Sequence, residues 1–211
     1  MAITFAKSQN SKKLLEFSKI LNWIKKPRPL LWFYFMLVGL GFLYLITALI
    51  FNDFTTPFSG DYVSQQFAFY TNGYDDWHHF FKTGEFIFYD TNTFLGANNI
   101  GSNSFYYLFD PFFAPILLVP RQYVPQGMAV LTIFKLATAG IVFYAYMRTL
   151  GVSKGSSKIS ATAYAFCGWT TWYLWFNHFT EVAICLPLIL LGIEKVLKEK
   201  NPLFLSFGIF I

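Results

Sequence analysis

Residues 30–51 read LLWFYFMLVGLGFLYLITALIF, an apolar run that contains no charged side chain. A helix needs about 20 such residues to cross the hydrocarbon core of a bilayer, so this run is long enough to cross once. Its flanks set the direction. Lys7, Lys12, Lys13, Lys19, Lys25, Lys26 and Arg28 precede it, whereas residues 52–126 hold only Lys82 and Arg121 against seven acids. More basic groups gather at 148–158 and at 195–200. Basic residues mark the cytoplasmic side of a membrane protein, which predicts an N-terminus inside and residues 52–126 outside.

The composition agrees. The chain of 211 residues is 55% hydrophobic and 13% charged, against about 25% charged for a soluble domain. Its 27 Phe and 13 Tyr suit helices that face lipid and place aromatic rings near the headgroups. A net charge of +5 would suit a nucleic-acid binder, but the segregation of the charges by side excludes that reading and leaves no nucleic-acid partner. Cys167 and Cys185 both lie in apolar runs and read as small buried hydrophobes rather than a disulfide or a metal pair.

Outward from the first run, residues 1–29 form a basic cytoplasmic segment without the apolar core and small-residue cleavage site of a secretory signal. Leu14, Phe17, Leu21 and Ile24 repeat at helical spacing between lysines, which predicts either a helix on the cytoplasmic headgroups or a solvated basic tail. Residues 52–126 form a long first outer loop, with interfacial helices expected at Tyr62–Gly73 and Asp75–Lys82. In the same loop, Phe105–Pro120 is apolar but interrupted by Pro111, Pro115 and Pro120, so a broken or half-inserted helix is expected there. Residues 127–197 supply three more spans, over Gly127–Met147, Ile159–Phe176 and Val182–Leu197, with Asn177, His178, Thr180 and Glu181 in a short outer turn. Residues 198–211 read as a cytoplasmic turn and the start of a fifth span, so the chain is taken as the N-terminal part of a longer polypeptide. The expected fold is an all-α, polytopic transmembrane protein with about four spans.

Asp61 stands just outside the first span, beside Gly60 and before Tyr62, Gln65, Gln66 and Tyr70. A carboxylate there can reach a lipid phosphate at the surface and a polar acceptor from water, as a general base would; it can equally cap the helix that starts at Tyr62. Asp110-Pro111 has the form of a helix start. Asp75 and His79 are one helical turn apart, as metal ligands can be, or they form the polar face of an interfacial helix. Lys135 lies inside the second span, where an ammonium needs a partner; a lipid phosphate, Asp61 or a structural ion pair would each serve. No GxGxxG or GxxxxGK[ST] occurs, so neither a dinucleotide fold nor a phosphate loop is signalled.

Three blocks, GDYVSQQFAFY at 60–70, KTGEFIFYDTNTFLGANNIGSNSFYYLFDPFF at 82–113 and NHFTEVAICLPLILLGIEK at 177–195, resemble the YfhO family of bacterial polytopic membrane proteins. That family is similar to multi-span glycosyltransferases of the GT-C type, whose first outer loop bears an acidic residue. The resemblance implies transfer of a sugar from an undecaprenyl-phosphate donor to a cell-surface polymer such as lipoteichoic or wall teichoic acid, at the outer face of the bacterial plasma membrane. Asp61 matches the loop acid and is the expected catalytic base. Gln65, Tyr70, Asn99, Ser102, Asn103, Tyr106 and Tyr107 become expected substrate-lining residues, the amides and hydroxyls for sugar hydroxyls and the rings as stacking surfaces. Lys135, His178 and Glu181 are expected to hold the donor phosphate, with a divalent metal as a further ligand for the outer turn and no other cofactor implied. The alternative expectation is a transporter or lipid-linked sugar flippase, which needs ionisable groups at membrane depth and no catalytic base.

Overall fold

The computed structural model describes residues 28–56, 60–91 and 95–210. The basic segment expected to carry Leu14, Phe17, Leu21 and Ile24 on one helical face lies outside them. The chain divides into two compact units at Trp32/Phe33. In the first, the described residues are 28–32, where the Trp32 N–H donates to the Arg28 carbonyl at 3.1 Å. Everything below concerns the second unit.

The described chain is mostly helical. Helix α1 covers Pro29–Phe51 and α4 covers Val124–Thr149. These two, the second counted from Arg121, are long and apolar enough to cross a membrane. On α1, Leu37, Leu45 and Leu49 are buried, while Leu43, Ile46 and Ile50 are exposed. A helix apolar on both its packed and its open face suits a lipid surround rather than water. Its buried face packs on Ala129, Ile133, Leu136 and Ala137 of α4. The contact is close: a Cβ on Gly41 would stand 2.8 Å from the Ile133 side chain, and small residues are what let apolar helices approach in this way.

Between them, the expected pair of interfacial helices is one continuous helical segment. It starts at Gly60, whose φ of 65° suits glycine, runs as a π-helix over Tyr62–Phe67 and continues as α2, Ala68–Thr83. Gly73 and Tyr74 do not interrupt it. Gly84, in the left-handed conformation, ends it. A two-residue antiparallel ladder follows, β1 (Tyr89–Asp90) with β2 (Ala97–Asn98), in register Tyr89 to Asn98. The short α3 (Asn99–Asn103) leads into a second π-helical turn, Ser104–Leu108. The proline-rich stretch is then broken into 3₁₀ turns at Ala114–Leu118 and Arg121–Tyr123, as its prolines require.

After α4, the basic end is closed by side chains: Arg148 donates to the Val152 carbonyl, and Lys198 Nζ to the Thr149 carbonyl at 2.9 Å, satisfying groups a helix end leaves open. The expected span Ile159–Phe176 is divided into α5 (Lys154–Ala165), α6 (Gly168–Trp172) and a 3₁₀ turn at Tyr173–Trp175. The break has a donor of its own. Thr170 Oγ1 donates to the carbonyls of Ala165 (3.0 Å) and Cys167 (2.8 Å), replacing bonds that the interrupted helix loses. Both cysteines are free and half-buried. Helix α7 (Phe179–Glu199), with Pro187 inside it, packs along α4, and α8 (Leu203–Phe210) packs back on α7.

Candidate functional site

The aromatic loop and the helices meet around Lys135. This residue sits about three turns into α4, and its side chain is fully buried. Its Nζ pairs with the Glu181 carboxylate of α7, donates to the Asn177 carbonyl at 3.2 Å and to the Tyr70 hydroxyl at 3.4 Å, and lies 3.9 Å from Asp110 Oδ2. Four separate elements thus converge on one ammonium. A buried charge is tolerable only with such partners. Of the partners expected from sequence, the ion pair is the one present, and Asp61 does not take part in it.

Asp110 does two jobs. Its Oδ1 accepts from the Phe112 N–H at 2.7 Å, the capping role expected of Asp-Pro. Its Oδ2, on a side chain only 7% exposed, accepts no hydrogen bond and faces the Lys135–Glu181 pair. Above it, His178 Nδ1 is 3.4 Å from Gln66 Oε1, a pairing that requires the Nδ1–H tautomer. Burial, and then the charge of Lys135, push the His178 imidazole down to about 4, so it is neutral near pH 7. Tyr106 meets it edge-on at 5.2 Å and stacks on Phe69. The two π-helical turns, carrying Gln66 and Ser104, both border this region, and π-turns are frequent at functional sites.

A cavity of about 570 Å³ opens beside the cluster. One part is polar, with Ser104, Asp110, His178 and Glu181; the other is apolar, with Val182, Leu186, Ile189 and Phe210. That volume lies in the ordinary range for small-molecule sites.

The other expected site residues fall into two groups. Asp61 is exposed at the mouth of the π-helical turn, where Gln65 Nε2 donates to its Oδ1 at 3.3 Å. It makes no side-chain cap, so the capping alternative is not realised. It precedes Gln66 by five residues, roughly 7–8 Å of helical rise, and does not line the cavity. Asn99, Asn103 and Tyr107 are buried in a separate network. Asn99 Nδ2 donates to Asp76 Oδ2 (2.9 Å) and to the Ile87 carbonyl (2.8 Å), Asn103 donates to Asn99 Oδ1 (2.6 Å), and the Tyr107 hydroxyl donates to Asp76 Oδ2 (3.3 Å). Burial raises both the Asp76 carboxyl and the Tyr107 hydroxyl above their usual values. This network ties α2 to the loop and does not line the cavity. Ser102 is half-buried on α3, also away from it. Tyr107 lies directly on Gly73, where a Cβ would stand 2.3 Å from its ring.

Asp75 is engaged by Arg121, whose Nε and Nη2 donate to its two oxygens at 2.8 and 2.7 Å, and His78 stacks on Tyr74. Among the described residues no group of three or more His, Cys, Asp or Glu is arranged to hold a metal ion. Asp110, Gln66 and Asn177 are site residues the sequence singled out weakly or not at all. The signal was present for Asp110, an acid in an apolar run, but its capping role explained it away.

The profile of the family described as bacterial membrane protein YfhO matches residues 33–211. The chain belongs to this family. The match takes in every element around Lys135 and the cavity, and the resemblance read from the blocks at 60–70, 82–113 and 177–195 is thereby shown, together with a membrane setting for the chain. No curated protein and no solved structure matches it.

Proposed function

We propose that this YfhO-family chain forms the donor side of a membrane glycosyltransferase with a GT-C-like, four-span arrangement. It moves a sugar from an undecaprenyl-phosphate-linked donor to a cell-surface polymer of the teichoic acid kind at the outer face of the plasma membrane. The observation that carries the reading is the two-natured cavity, with carboxylates and an imidazole at one part and an aliphatic wall along α7 at the other. That combination suits a ligand with a hydroxyl-rich head and a hydrocarbon tail.

In the reaction, an acceptor hydroxyl attacks the anomeric carbon with inversion. The bond from that carbon to the carrier phosphate breaks, and undecaprenyl phosphate leaves with the electron pair. Asp61, exposed to the aqueous side and close in sequence to Gln66, takes the acceptor's proton. Lys135, engaged by Glu181, serves as the group that holds that carboxylate in place rather than as a direct phosphate ligand.

The test is Asp61→Asn and Asp61→Ala in cells making the intact protein at matched levels. General-base catalysis contributes about 10²–10⁴-fold, so surface-polymer glycosylation should fall by at least that lower factor. Undiminished glycosylation would remove Asp61 from the mechanism.

One observation favours a second reading, a lipid-linked sugar flippase. Lys135, Glu181 and Asp110 are ionisable groups gathered among apolar helices, as transport paths often require. Purified intact protein in liposomes with a labelled sugar-lipid separates the two: release of free carrier belongs to the transferase, and movement of intact lipid to the flippase.

A further inference from the structure

The charge of the cavity decides which part of an amphiphile it can hold. None of the described residues that line it is Lys or Arg. The nearest ammonium, Lys135, is fully buried and shared between two carboxyl groups, Glu181 and Asp110. With both carboxyls ionised the trio carries a net negative charge, and with one protonated it is neutral. In neither state is positive charge left over for a phosphate. His178 adds none near pH 7. Like charges brought together in a low-dielectric site repel strongly, so a phosphate at this end would be disfavoured.

What the end offers instead is acceptors. Asp110 Oδ2 accepts no hydrogen bond although its side chain is 93% buried by the complement of its 7% exposure. A buried acceptor in that condition is costly, and a hydroxyl donor supplied by a ligand would satisfy it. Bonds to an ionised acceptor are about twice as strong as neutral ones. Beyond it, Val182, Leu186, Ile189 and Phe210 offer only hydrocarbon.

We propose that this cavity binds the uncharged sugar head of a glycolipid, with sugar hydroxyls donating to Asp110 Oδ2 and the adjoining chain lying along Val182, Leu186, Ile189 and Phe210, and that it does not bind phosphate. The assignment deepens the function proposed above, resting on that reading in taking the cavity as the donor's site. It moves the donor's phosphate away from Lys135.

The experiment uses the purified chain in lipid nanodiscs and radiolabelled n-octyl glucoside below its micelle-forming concentration, with empty nanodiscs subtracted. Wild type should bind saturably. Unlabelled n-octyl phosphate and n-octanol should compete at least ten-fold less well than unlabelled n-octyl glucoside. Asp110→Asn should weaken binding at least ten-fold, equivalent to about 1.4 kcal/mol. Ile189→Trp, which fills the aliphatic wall without touching the charged trio, should do the same and keeps the test decisive if Asp110→Asn fails to fold. No saturable binding, octyl phosphate or octanol competing as well as the glucoside, or unchanged affinity in a folded Asp110→Asn protein would each overturn the assignment. If the glucoside binds as stated while Asp61→Asn leaves glycosylation intact, the transferase reading falls and the sugar site stands. If octyl phosphate competes best while Asp61→Asn abolishes glycosylation, only the sugar site falls.

Discussion

Replacing Lys135 by Met keeps a long, flexible side chain in α4 and removes its charge. Glu181 then loses its counter-ion in an apolar surround, Asp110 loses the only cation recorded near its Oδ2, and the Asn177 carbonyl and Tyr70 hydroxyl lose a donor. Removing one partner of a buried ion pair costs about 3–5 kcal/mol. At about 2–4 °C per kcal/mol for a domain of this size, the unfolding midpoint should fall by roughly 6–20 °C, read by tryptophan fluorescence during heating at one fixed scan rate. The double variant Lys135→Met/Glu181→Gln removes the orphaned charge as well. If the loss comes from the unpaired carboxylate, the double variant should be more stable than Lys135→Met alone, a coupling that residues in direct contact display. A Lys135→Met protein melting within about 2 °C of wild type, or a double variant whose loss equals the sum of the singles, would refute the argument that the cluster is held together by this ammonium.

His178 supplies a pH dependence. Its imidazole sits at about 4 against an ordinary 6.5, so the unfolded chain takes up a proton that the folded chain refuses. Stability contributed by the neutral ring is therefore complete above 6.5 and is lost as pH falls from there through about 4. Melting curves across that range should decline more steeply for wild type than for His178→Gln, and parallel declines would show that the ring's burial is not the cause. Gly73→Ala should cost about 1–3 kcal/mol by overpacking, since the added methyl meets the Tyr107 ring and that ring is held by its bond to Asp76. Gly39→Ala, with nothing within 4 Å of the new carbon, is the paired control and should melt at or above wild type; equal midpoints for the two variants would contradict the close approach.

Local pattern alone carried the class of the protein and most of its helices. An unbroken apolar run such as 30–51 has few structural outcomes, because backbone groups in lipid must bond within their own helix. The prolines of 105–120 likewise forbid a regular helix wherever they are placed. The apolar run at 159–176 was misleading as one span, because its break depends on Thr170 folding its hydroxyl back onto the carbonyls of Ala165 and Cys167. Nothing in hydropathy registers that bond. The single helical segment through Gly73 was hidden for a related reason: Gly73 looks like a breaker, but its missing side chain is the space that Tyr107 fills.

The amino-acid order by itself determined that this chain is a helical membrane protein of the YfhO family, and that Asp61, Asp110, Lys135, His178 and Glu181 are too polar for their surroundings to be idle. Only the tertiary structure decided who meets whom. Lys135 finds Glu181 46 residues away and Tyr70 65 residues away, Gln66 rather than Gln65 turns toward His178, and Asn99, Asn103 and Tyr107 close on Asp76 instead of the cavity. The reason is physical: periodicity and charge act over a few residues along the chain, whereas the partner of a buried charge depends on how far each helix is rotated and where it crosses its neighbours.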